Sequence, residues 1–134
     1  MPEPAPPRLP DLELSLSASP ENVAVVRHVL GGIADALDLG PDLLADVRLA
    51  VSEACANAVV HAYPEGAPGL LDLEVSAVAG RLDIVVRDHG SGMMPRADSP
   101  GFGVGLPLIA SVADTLEFTN RDDGGTEVRM SFAR

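Results

Sequence analysis

The sequence predicts a two-layer α/β sandwich: a mixed, mostly antiparallel sheet with helices on one face. Three observations lead there. Short stretches alternate apolar and polar residues, the period of half-buried strands. Two longer stretches repeat apolar residues every three or four positions, the period of amphipathic helices. The strands come in pairs joined by tight turns, which brings neighbours together antiparallel. With 134 residues the chain makes one domain, large enough to bury a core without disulfides or metal.

The elements follow in order. Residues 1–10 hold five prolines and read as a disordered Pro-rich arm, which leaves 11–134 as the folded domain. Leu12, Leu14 and Leu16 alternate with Glu13, Ser15 and Ser17, giving a strand. Ser19 caps a helix with Pro20 at its first position, Val26, Leu30, Ile33 and Leu37 form its apolar stripe, and Gly40 ends it. Pro41 opens a second helix whose core face is Leu44, Val47, Val51, Ala54 and Ala58, and Pro64 stops it. Leu71, Leu73, Val75 and Ala77 form a strand, Ala79-Gly80-Arg81 turns, and Leu82, Ile84 and Val86 return. A glycine-rich stretch from His89 to Gly105 leads into a short helix over about 106–114. Two strands close the chain, around Leu116 and Phe118 and around Val128, Met130 and Phe132, with an Asn120–Gly125 hairpin turn between them.

Composition excludes several functions. Nine basic residues, all Arg, stand against twenty acidic ones, for a net charge of -11. A nucleic-acid grip needs a basic stripe, and base-stacking platforms need aromatics, which are only 3% of the residues. The absence of Lys removes a P-loop. The single Cys55 removes an intramolecular disulfide and any multi-thiolate zinc site. No apolar run approaches the ~18 residues that span a bilayer, and the N-terminus lacks the cationic region of a secretory signal. The expected compartment is the cytoplasm, with no membrane and no direct nucleic-acid partner.

Four features carry chemistry. Glu53, Asn57 and His61 lie four apart on one face of the second helix, at the edge of its core stripe. A carboxylate, an amide and an imidazole so placed suit a base, a metal ligand and a phosphate contact. Asp88 ends a strand and is followed by Gly90 and Gly92, where glycine permits close backbone approach. Gly101, Gly103 and Gly105 precede a helix N-terminus, a phosphate cradle without a lysine. Gly124-Gly125-Thr126 enters the last strand. Taken singly, these also read as a polar flank, a turn, a hinge and a hairpin. Arg87 and Arg96 read as solvated charges.

The order of the four is specific. An E-x-x-x-N helix, then D-x-G-x-G after a strand, then G-x-G-x-G at a helix start, then G-T on the last strand resembles the GHKL, or Bergerat-fold, histidine kinase-like ATPases. SEACANAVVHAYPEG and GVGLPLIASVADTLEF are most similar to the anti-sigma factor serine/threonine kinases of that superfamily. The resemblance covers nearly the whole chain from Leu12 onward.

The resemblance implies ATP and Mg²⁺ as cofactors. It implies that Asn57 holds the metal and that Glu53 is the general base toward a substrate serine. His61 would lie near the phosphates. Asp88 would receive the adenine amine, in a pocket shaped by Gly90 and Gly92. Gly101, Gly103 and Gly105 would hinge a lid and donate amides to phosphate, and Thr126 would help hold the adenine end. The implied function is an anti-sigma factor that phosphorylates a STAS-type anti-anti-sigma protein, binds a sigma factor, acts as a homodimer and regulates sigma-dependent transcription. Only Met93–Pro100 separates the two glycine boxes, so a nucleotide-gated partner-binding module without significant kinase activity stays open as the alternative.

Overall fold

Side-chain alternation builds the sheet. A computed structural model describes residues 9–62, 69–90, 102–122 and 124–134. Its strands are β1 (Leu12–Ser17), β2 (Leu70–Val78), β3 (Arg81–Asp88), β4 (Thr115–Asn120) and β5 (Thr126–Ala133). Their order across the sheet is β1-β2-β3-β5-β4. Every pair is antiparallel, where the sequence left room for a mixed sheet. The reason is topological. β3 and β4 run in the same direction, but β5 folds back from the β4 hairpin and inserts between them.

One face of the sheet carries Leu71, Leu73, Val75, Leu82, Ile84, Val86, Val128, Met130 and Phe132, all buried. Helices α1 (Pro20–Leu37) and α2 (Pro41–Asn57) cover it with Val26, Leu30, Val47, Val51 and Ala54. Burying such side chains contributes about 1.5–3 kcal/mol each. Cys55 fills a gap in this core, and burial pushes its thiol up to about 12, so it is inert at neutral pH.

The opposite face is polar and cross-linked. Arg87 on β3 donates to Glu74 at 2.7 Å and to Glu127 at 2.6 Å, and Arg129 also donates to Glu127 at 2.6 Å. Arg87 is therefore a cross-strand tie rather than the solvated charge expected, because antiparallel register sets it opposite Glu127. Burial pushes the Glu127 carboxyl up, but the bonds from Arg87 and Arg129 outweigh that and hold it below its ordinary value. Arg96 lies outside the described residues.

Helix ends depart from expectation in three places. Ser19 stands at the N-cap of α1, yet its hydroxyl makes no capping bond. Asn22 Nδ2 ties the entry instead, donating to the Ser17 carbonyl at 2.7 Å. Gly40 does not end α1. Asp38 does, in the left-handed region (φ 55, ψ 47), and Gly40 is the N-cap of α2. The chain must turn before Gly40 because Leu39 packs on the core and its amide bonds the Ala34 carbonyl at 2.9 Å. The last helix, α3 (Phe102–Val112), starts earlier than the expected 106–114. Packing on α2, with Ile109 fully buried, overrides the poor helix propensity of Gly103 and Gly105. Pro107 sits inside α3 and offers no N–H to the carbonyl of Gly103.

The expected arm over 1–10 falls mostly outside the described residues. Among those described, no helix is long and apolar enough to cross a membrane.

Asp38 occupies a conformation that costs a non-glycine residue free energy. Asp38→Gly is expected to stabilise the protein by about 0.5–1 kcal/mol, read as a rise in Tm by circular dichroism.

Candidate nucleotide site

The site grows from the ends of β3 and β5. Alternation along β3 puts Leu82, Ile84, Val86 and then Asp88 on the helix-covered face. Asp88 is directly opposite Thr126 in the ladder. Both are buried, at 3% and 1% exposure, so a carboxylate closes the row that hydrophobic side chains began. Asp88 Oδ1 accepts two backbone bonds, from the Gly90 amide at 3.0 Å and the Thr126 amide at 3.2 Å. Among the described residues nothing bonds Oδ2. That oxygen can accept from an amine on a flat ligand.

Burial pushes the Asp88 carboxyl above its ordinary range, and the Gly90 and Thr126 amides pull it part of the way back. An acid raised in the folded state favours folding most when protonated. Its contribution is fully present at low pH and is lost as pH rises through the raised value. Asp88 therefore costs stability at neutral pH, a mark of a group kept for binding.

Gly125 is a residue whose role the sequence did not reveal. A Cβ there would collide with the Asp88 carbonyl oxygen and stand 3.1 Å from His89 Cα. The β5 backbone can approach β3 this closely only with glycine. The signal in the sequence was the Gly124-Gly125 pair, which also reads as a plain hairpin. Gly124 does serve the turn, at φ 99.

The second part of the site lies on α2. Asn57 is its last residue and is 8% exposed. Among the described residues no group hydrogen-bonds its carboxamide. A carboxamide on a mostly buried residue that bonds no other described residue has the chemistry of a ligand contact. Glu53 lies one turn earlier and is half-buried. After Asn57 the backbone widens into a π-helical turn over Ala58–Ala62, which sits against β3. Such turns mark functional positions in helices. The change of helical period means that His61 does not repeat the Glu53-to-Asn57 offset. The structure describes His61 by its backbone alone.

The glycine boxes are only partly described. Gly90 follows β3 and bonds Asp88. Gly92 and Gly101 lie outside the described residues, as does Met93–Pro100 between the boxes. Gly103 and Gly105 form the first turn of α3 rather than a loop before it. Helix starts expose amides without intrahelical partners, so the position still suits anions.

The donor set fits Mg²⁺ held largely by phosphate. Among the described residues there is no group of three His, Cys, Asp or Glu able to hold a metal by itself. Mg²⁺ keeps waters and phosphate oxygens and takes few protein ligands, and Asn57 offers a hard amide oxygen.

Comparison with known proteins agrees with this geometry. The profile of the histidine kinase-like ATPase domain matches residues 16–132. The chain belongs to that family. Among curated relatives, a serine-protein kinase RsbW from Halalkalibacterium halodurans is 33% identical, over 90% of this chain and 81% of the relative. An RsbW from Bacillus licheniformis is 36% identical, over 90% of this chain and 83% of the relative. Among solved structures, the RsbU and RsbW domains of a Mycobacterium tuberculosis protein superpose with a TM-score of 0.71 at 21% identity. That match covers 94% of this chain and 33% of the longer one. The chain is thus of the RsbW-like, anti-sigma factor kinase group, and the antiparallel sheet with three helices is the fold of its structural neighbours.

Two variants check the cradle. Gly125→Ala is expected to destabilise the fold by about 1–3 kcal/mol or more, by overpacking against backbone, read by urea denaturation. Asp88→Asn is expected to raise Tm of the ligand-free protein at pH 7. The gain shrinks as pH falls below the raised Asp88 value, because the wild-type acid is then neutral as well.

Proposed function

We propose that the chain is a Mg-ATP-dependent protein serine/threonine kinase acting as an anti-sigma factor. In this reading it phosphorylates a serine on a STAS-type anti-anti-sigma protein, binds a sigma factor in its other state, works as a homodimer and acts in the cytoplasm on transcription. The observation that carries it is Asn57, a mostly buried residue whose carboxamide bonds no other described residue, one helical turn from Glu53 on α2.

Each residue has a part. Asp88 takes the exocyclic amine of the purine, with Thr126 and Gly90 holding its carboxylate. Asn57 holds Mg²⁺ through its amide oxygen, and His61 lies near the phosphates. Mg²⁺, when bound, neutralises phosphate charge and orients the triphosphate. Glu53 accepts the proton of the substrate hydroxyl as that oxygen attacks the γ-phosphorus and ADP departs. A helix holds such a base more firmly than a loop. Phosphoryl transfer needs positioning and charge neutralisation more than covalent chemistry. A net charge of -11 repels ATP at long range, so affinity rests on local groups: the metal, the amides at the start of α3, and Asp88.

Two variants on α2 test this. Glu53→Ala is expected to keep ATP binding by calorimetry and to lower label transfer from γ-labelled ATP to a cognate STAS protein by about 10²–10⁴-fold. Asn57→Ala is expected to lose the Mg²⁺-dependent increment in ATP affinity. Absence of transfer by the wild type, with partner binding still gated by ATP against ADP, would favour the nucleotide-gated binding module.

A further inference from the structure

On the polar face of the sheet, behind the site, Asp72 is gripped from two sides. Ser15 Oγ on β1 donates to Asp72 Oδ1 at 2.7 Å, and His89 Nε2 lies 2.6 Å from Oδ2. Burial pushes the Asp72 carboxyl up, but the bonds from Ser15 and His89 and the charges of His89 and Arg87 outweigh it and keep the group ionised. An ionised carboxylate only accepts, so the proton sits on His89 Nε2. The chemistry above uses none of these three side chains. A half-exposed pair of this kind adds little stability by itself.

Its place in the fold gives it a consequence. Successive side chains point to opposite faces of a sheet. Asp88 faces the helices, and His89, the next residue, faces the other way. His89 is also the first residue past the β3 ladder, which ends with Asp88 between Leu71 and Thr126. The Asp72 partner lies one residue inward on β2, opposite Arg87. The imidazole thus pins the strand end diagonally to the body of the sheet. Gly125 closes on the same peptide from the other neighbour, β5.

We propose that His89 is a positioning residue for nucleotide selection: by bonding Asp72 it fixes the Asp88–His89 peptide, and so the direction in which Asp88 presents its carboxylate to the exocyclic amine of adenine. The inference rests on the nucleotide reading given above and adds a residue to it. Its signature is selectivity between purines, since phosphate and metal contacts lie on α2 and α3.

The test is calorimetric titration of the full chain with Mg²⁺ and either ATP or inosine triphosphate, which lacks the amine. Wild type is expected to prefer ATP by about 10–100-fold, the range for a hydrogen bond to a charged group. His89→Ala and Asp72→Ala are each expected to lower that ratio by about 3–10-fold, and the double variant by no more than either single, since both remove one contact. His89→Gln, which places a donor near the position of Nε2, is expected to restore the ratio. A structural role alone would lower Tm without changing selectivity, so circular dichroism accompanies each variant. If wild type prefers ATP and His89→Ala keeps the same ratio, the positioning role is wrong and the nucleotide reading stands. If wild type binds neither nucleotide, both fall together.

Discussion

A carboxylate held in the interior at the end of β3 is the constraint on which the site depends. Asp88 is 3% exposed and keeps Oδ1 bound to two backbone amides. Burial of an acid is unfavourable unless its lone pairs are met. Here the meeting groups come from the strand's own continuation at Gly90 and from the neighbouring strand at Thr126. Those amides are in reach only because β5 lies beside β3, and β5 approaches that closely only because residue 125 has no side chain. One acid thus requires the inserted strand, the register and the glycine together.

The opposite end of the site follows a different logic. α2 is an ordinary amphipathic helix up to Asn57, packed through Val47, Val51 and Ala54. Its period then changes at the π-helical turn beside β3. A regular helix would have carried the 3.6-residue period through His61. The break leaves Asn57 at the helix end, mostly buried and bonded by no other described residue. The sheet supplies a fixed acceptor and the helix supplies an amide. α3 packs on α2, and the small residues of its first turn and its interior Pro107 weaken it as a helix.

Much of this was legible in residue patterns. The alternation of Leu71, Leu73 and Val75, and of Leu82, Ile84 and Val86, specified strands and their inner face, and Asp88 was placed at a strand end. The three- and four-residue spacing on α2 specified its core face and placed Glu53 and Asn57 at its edge. Helix ends were less legible. Asp38 rather than Gly40 stops α1 because Leu39 is drawn to the core, and α3 begins four residues early because Ile109 is buried against α2. Tertiary contacts outweigh local propensities of a few tenths to about 1 kcal/mol.

Local periodicity by itself determined the element order, the buried face of each strand and helix, and the set of residues available for chemistry, since side-chain direction follows from backbone period alone. Only the tertiary structure decided that β5 separates β3 from β4, that Gly125 must be glycine, that Arg87 bridges Glu74 and Glu127, and that His89 reaches Asp72. Those contacts join residues far apart in the chain. Their partners are chosen by strand order and register, which the free energy of the whole packed sheet settles and no local pattern contains.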